Sequence, residues 1–151
     1  MAKFVFRLQS VLNIKVRLEQ QQRLSFAAAN KKLLEEEEKL SILYRRKEGY
    51  EDVAREDRGS TLVVSDIIET NNCISAMNTF IEDQKAVIEQ CKDMVEKERI
   101  KLVEAMRERK TYERLREKAF EEFVQEENHA QSIENDEHSS FVYGTGRNEA
   151  I

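Results

Sequence analysis

From Val63 to Ile133 one spacing is kept almost without a miss. Counting alternately by three and four gives Val63, Ile67, Thr70, Ile74, Met77, Ile81, Gln84, Ile88, Cys91, Val95 and Glu98. The same count runs on through Leu102, Ala105, Arg109, Tyr112, Arg116, Ala119, Phe123, Glu126, Ala130 and Ile133. This is a heptad seam held over about ten heptads, where three or four already argue for a coiled coil. No glycine or proline interrupts the run, so nothing local stops the helix. A helix of about 70 residues is ~105 Å long, and its apolar stripe is unstable until a partner covers it.

The partner is expected upstream. Residues 4–57 read as a first helix whose later seam is Phe26, Ala29, Leu33, Glu36, Leu40, Leu43, Lys47, Tyr50 and Ala54. Its earlier seam reads Leu8, Val11, Lys15, Leu18 and Gln22, joined to Phe26 by a stutter that locally unwinds a supercoil. Gly59 suits a helix C-cap. Ser65, followed by Asp66 and Glu69, suits the N-cap of the second helix, although Ser60 and Thr61 offer an earlier start.

Folding back at Gly59 pairs Tyr50 with Ile67, Leu43 with Ile74, Leu40 with Met77 and Leu33 with Gln84. It also pairs Ala29 with Ile88, Phe26 with Cys91 and Gln22 with Val95. The expected fold is therefore all-α, an antiparallel two-helix coiled-coil hairpin with a longer second helix. Its parts are a helix over 4–57, a loop over 58–65, a helix over 66–138 and a disordered tail over 139–151. Phe4 pairs near residue 113 in this scheme. That leaves the stretch from Arg116 to His138, with Ala119, Phe120, Phe123, Val124, Ala130 and Ile133, uncovered.

Composition fits a rod better than a globule. Of 151 residues, 36% are charged, and there is no proline and no tryptophan, so the deep core of a globular enzyme is not expected. A secretory h-region is missing, because Arg7 follows Phe4-Val5-Phe6 at once. No window approaches the roughly 20 apolar residues of a membrane span. Cys73 and Cys91 lie on one helix, ~27 Å apart at helical rise, well beyond the roughly 7 Å limit for a disulfide. They read as small buried hydrophobes in a reducing cytosol.

The net charge of -5 conceals a strong segregation. Met1 to Leu24 carries Lys3, Arg7, Lys15, Arg17 and Arg23 against Glu19 alone. Arg99 to Lys118 is also basic, and it is followed by Glu121, Glu122, Glu126, Glu127, Glu134, Asp136 and Glu137 with no intervening lysine or arginine. A basic girdle next to an acidic block reads either as a solvated face or as a docking end for a charged protein.

Catalysis needs convergent groups in a concave pocket, and a two-helix rod provides none, so no enzyme is expected. Glu126 and His129 have the spacing of bundle metal ligands, but a second such pair is missing. No metal and no cofactor are expected. Gly144-Thr145-Gly146 lacks the context of a dinucleotide loop. The basic girdle is interleaved with glutamates and has no aromatic platform, which argues against nucleic acid.

The opening Phe4-Val5-Phe6-Arg7-Leu8-Gln9-Ser10-Val11-Leu12-Asn13-Ile14-Lys15 resembles that of the FliJ family, a component of the bacterial flagellar type III export apparatus. A glutamine- and glutamate-rich first helix, a hairpin near residue 60 and a basic stretch at Arg107, Lys110, Leu115 and Lys118 extend the resemblance. It implies a hairpin like the terminal helices of a rotary ATP synthase gamma subunit. Such a hairpin inserts into the hexameric flagellar export ATPase and promotes its assembly. The resemblance also implies contact with the cytoplasmic domain of the export-gate membrane protein, and binding of export chaperones. The place implied is cytoplasmic, peripheral at the inner face of the inner membrane, without insertion into it.

Carried onto this chain, the ATPase-facing residues are Phe4, Phe6, Arg7, Arg109, Arg116, Phe120 and Phe123. The gate-facing residues are Leu43, Tyr44, Tyr50, Met77, Phe80 and Ile81. The chain departs from the family pattern in its acidic block and in its tail. Two alternatives remain: a homo-oligomeric structural coiled coil, and a stalk subunit of a membrane-bound rotary ATPase.

Overall fold

A computed structural model describes residues 2–57 and 63–148. Two helices account for nearly all of them: α1, Gln9–Asp57, and α2, Val64–Asn148. They pack against each other as an all-α helical hairpin with a longer second helix. The chain divides into two compact units, residues 20–104 and residues 1–19 with 105–151.

In the 20–104 unit the α2 seam faces inward as the spacing predicts. Ile67, Ile74, Met77, Val95 and Leu102 are half-buried, and Ile81, Ile88 and Cys91 are buried. From α1, Phe26, Ala29, Leu33, Leu40 and Leu43 answer them, while Tyr50 sits at the margin with 36% exposure. The apolar core is thin. Only Leu12, in the other unit, joins Ile81, Ile88 and Cys91 as a buried hydrophobe among the described residues.

The alignment of the helices differs from the expected one, and the cause is polar. Gln84 faces Glu36 rather than Leu33; its amide donates to the Glu36 backbone carbonyl at 2.9 Å and to the Glu36 carboxylate at 2.6 Å. Gln22 faces Glu98 rather than Val95, donating to its carbonyl at 3.3 Å and also to its carboxylate. Each partner lies three residues further along its own helix than the apolar count placed it, Glu36 on α1 and Glu98 on α2. The expected alignment sets Gln84 against leucine and Gln22 against valine, leaving seam amides and carboxylates without partners, which is costly. Sliding by three matches polar with polar at both levels. A single polar layer is enough to specify register in coiled coils.

The helix ends also move. Expected from residue 4, α1 begins at Gln9, whose N–H donates to the Phe6 carbonyl at 3.1 Å, and residues 2–6 are non-helical. α2 begins at Val64, and the Val63 carbonyl accepts from the Asp66 and Ile67 N–H groups at 3.1 and 3.2 Å. Ser65 therefore lies inside the helix and does not cap it, while Asp66 in the first turn complements the helix dipole. Gly59, Ser60 and Thr61, which carry the expected caps and turn, lie outside the described residues. Residues 139–148, expected as a disordered tail, continue α2. There the Thr145 hydroxyl donates to the Phe141 and Val142 carbonyls, both at 3.0 Å, and Gly144 and Gly146 lie inside the helix.

Within residues 1–19 and 105–151 the inward positions of α1 differ from the expected set. Leu18 is 45% exposed, whereas Glu19 is only 5% exposed and Leu12 is buried. Leu8, Leu12, Lys15, Glu19, Gln22 and Phe26 then alternate by four and three without a break, so the stutter disappears. The apolar side chain was the wrong guide here, because Arg109 on α2 supplies Glu19 with a charge partner.

Candidate functional site

The unit of residues 1–19 and 105–151 gathers most of the chemistry. Residues 2–6 leave the helical path, and Phe4 folds onto α2. Its ring meets Phe120 edge-on at 5.2 Å and Phe123 at 5.5 Å, and Phe120 and Phe123 lie 6.4 Å apart. The Arg116 guanidinium sits 5.8 Å from the Phe4 centroid while its Nε donates to Gln9 Oε1 at 3.0 Å. The expected uncovered stretch from Arg116 onward is thus partly covered. Gln9 and Phe4 reach Arg116, Phe120 and Phe123, beyond the level of residue 113 that the apolar count assigned to Phe4.

One turn inward, Lys15 pairs with Glu108 at 2.8 Å and lies 5.9 Å from the Tyr112 centroid. The hydrogen bond to Glu108 is the main reason the Lys15 ammonium is held above its ordinary pKa, with the Glu108 charge adding to it against partial burial. Arg109 binds two carboxylates, Glu113 at 2.8 Å and Glu19. Its pKa is raised by the hydrogen bond it donates to Glu113 first and to Glu19 second. Arg109 is therefore committed inside the hairpin, while Arg7 is exposed. Phe6 is half-buried, and Phe120 keeps 49% of its surface exposed. On the outer side of α2, Arg107, Lys110, Thr111, Glu113, Arg114 and Glu117 line a shallow hollow.

The second set of expected contacts falls in the 20–104 unit and divides by burial. Tyr44, Tyr50 and Phe80 present exposed aromatic rings. Leu43 and Met77 are half-buried, and Ile81 at 3% exposure belongs to the core. A small groove lies beside Ala29, Lys32, Val87, Gln90, Cys91 and Met94.

Sequence reasoning placed Glu36, Gln84 and Glu98 on the seam but missed their pairing across it, and it left Glu19 off the seam altogether. Polar residues at the inward step of both helices were the signal for the Gln84 and Glu98 pairings. Glu36 has a lowered pKa, first from the Gln84 amide and then from Lys39. Its folded value lies below the ordinary value of 4.5, so its contribution to stability is full above that value and is lost as pH falls through the folded one. Thermal melts should accordingly show a midpoint that drops as pH is lowered from 4.5. In Gln84→Leu that acid dependence should be smaller; an unchanged dependence would disconnect Glu36 from Gln84.

Two paired helices with exposed aromatic and basic side chains define a helical-hairpin protein. No helix among the described residues is long and apolar enough to cross a membrane. The chain belongs to the FliJ family: the family model for the flagellar FliJ protein matches residues 4–148. It is accordingly a structural component of flagellar protein export rather than an enzyme. No curated protein and no solved structure matches it significantly.

Proposed function

We propose that this chain is the stalk of the flagellar export ATPase. The end bearing Phe4, Phe6, Arg7, Arg116, Phe120 and Phe123 enters the centre of the hexameric ATPase and promotes its assembly. The observation that carries this reading is the Phe4–Phe120–Phe123 cluster with Arg116 against it. Aromatic rings and arginines are the residue types that anchor protein interfaces, and here a non-helical segment and a helix hold them together. Arg109 acts indirectly, by holding Glu19 and Glu113. The exposed rings of Tyr44, Tyr50 and Phe80 serve the cytoplasmic domain of the export gate, and Leu43, Met77 and Ile81 support them from the seam. Export chaperones are the third class of partner. The working place is the cytoplasmic face of the membrane that holds the apparatus.

The test mixes the protein with the cognate export ATPase and follows ring assembly and ATP turnover. The wild type should raise both. Phe120→Ala, checked for unchanged helicity by circular dichroism, should need about tenfold more protein for the same stimulation, the loss of one interface anchor of about 1.4 kcal/mol. No co-elution and no stimulation by the wild type would end the proposal.

A further inference from the structure

Exposed charges without an ion pair occur along the whole hairpin, but in the unit of residues 1–19 and 105–151 they are segregated by sign. Ion pairs run from Lys15–Glu108 to Arg109–Glu113, with local pairs such as Arg99–Glu96 and Lys92–Glu89 in the 20–104 unit. Beyond Glu113 on α2 there is none among the described residues. The exposed cations Arg7, Arg17, Arg114 and Lys118 have no carboxylate, and the exposed Glu126, Glu134 and Glu137 have no cation. Both sets belong to the same compact unit.

Each set lies on an apolar background. On α1, Ile14, Arg17 and Leu18 share one face by helical spacing, with Ile14 at 54% and Leu18 at 45% exposure, and the exposed Arg7 stands in the turn that leads into this helix. On α2, Glu126, Ala130, Glu134, Glu137 and Phe141 follow in steps of three and four, so they too share a face. Every side chain from Asn128 to Gly146 is exposed. A long helix with no packed side survives poorly alone in water.

We infer that the acidic end of α2, residues 126–141, docks on the basic surface Arg7–Ile14–Arg17–Leu18 of a second copy of this chain, reciprocally, as a two-fold dimer. The chain carries both complementary halves, and a two-fold interface uses each of them twice. The carboxylates of one copy then meet the arginines of the other, and Ala130 and Phe141 cover Ile14 and Leu18. This inference concerns the chain alone, and its test is independent of the export reading.

The test is light scattering on full-length protein, with a complementary charge exchange. At low ionic strength and ~50 µM the wild type should have twice the monomer mass. It should return to monomer near 1 M salt, where the screening length falls to about 3 Å. One variant, Arg7→Glu with Arg17→Glu, makes both surfaces acidic. The other, Glu126→Lys with Glu134→Lys and Glu137→Lys, makes both basic. Each alone should dimerise at least about tenfold more weakly. Mixed one to one they should recover the dimer, since each acidic surface then meets a basic one. Circular dichroism on each variant confirms that it is folded. A wild type that stays monomeric at low salt would overturn the inference and leave the acidic end for a basic helix of another protein. Folded variants that dimerise as well as wild type, or a mixture that stays monomeric, would also overturn it.

Discussion

Ile81→Asp is expected to abolish the cooperative thermal unfolding of the 20–104 unit and to lower helicity at room temperature. Ile81 is the most buried apolar side chain among the described residues at 3% exposure, and the neighbouring layers on α2 are Met77 and Gln84. An aspartate there loses the packing of isoleucine and must either bury a carboxylate or take up a proton. Substitutions of this kind cost more than about 4 kcal/mol. Small domains have only about 5–15 kcal/mol in total, and a seam with three buried hydrophobes in this unit has little to spare. Circular dichroism melts measure it. A midpoint within a few degrees of wild type would mean that Ile81 does not face α1.

Arg109→Ala is expected to destabilise the other unit, and Arg109→Met combined with Glu19→Met to restore it. Glu19 is 5% exposed and paired with Arg109, so the single substitution takes a guanidinium away from a carboxylate that water reaches poorly. Removing one partner of a buried pair is far more damaging than replacing both with apolar side chains of similar size. The single variant should melt well below wild type, and the double variant at or above it. The comparison distinguishes a positioning pair from a docking residue. If Arg109 served a partner directly, the single variant would keep its melting temperature and lose only binding.

How far the sequence could be read depended on whether a position was apolar. The α2 seam from Ile67 to Leu102 was legible because its isoleucines recur at a fixed step and no breaker competes. Leu18 and Glu19 show where that guide fails. The apolar residue points to solvent and the charged one points inward, because the decisive partner, Arg109, is ninety residues away. Register failed for a related reason. An apolar seam looks similar after a shift of three, and only Glu36 with Gln84 and Gln22 with Glu98 distinguish the two alignments. The Phe4 contact was hidden because residues 2–6 have the composition of a helix start and instead turn across α2. Phe4, Arg116, Phe120 and Phe123, which the resemblance set at one end of the hairpin, do meet. Arg109 and Ile81, which the resemblance offered as contact residues, also stand in the seam of the spacing, and there the hairpin holds them.

The polar layers in the seam bear on company as well as alignment. An amphipathic helix lined only with leucine sticks to almost any other helix of that kind, and a cell holds many. At Glu19, Glu36 and Glu98 a foreign helix would have to offer a donor at three set heights or strand a carboxylate against hydrocarbon. Two of those donors are the amides of Gln22 and Gln84, and the third is Arg109. The hairpin gives up some tightness at these layers and becomes selective about what it closes on, so α1 and α2 find each other in a crowd of similar surfaces.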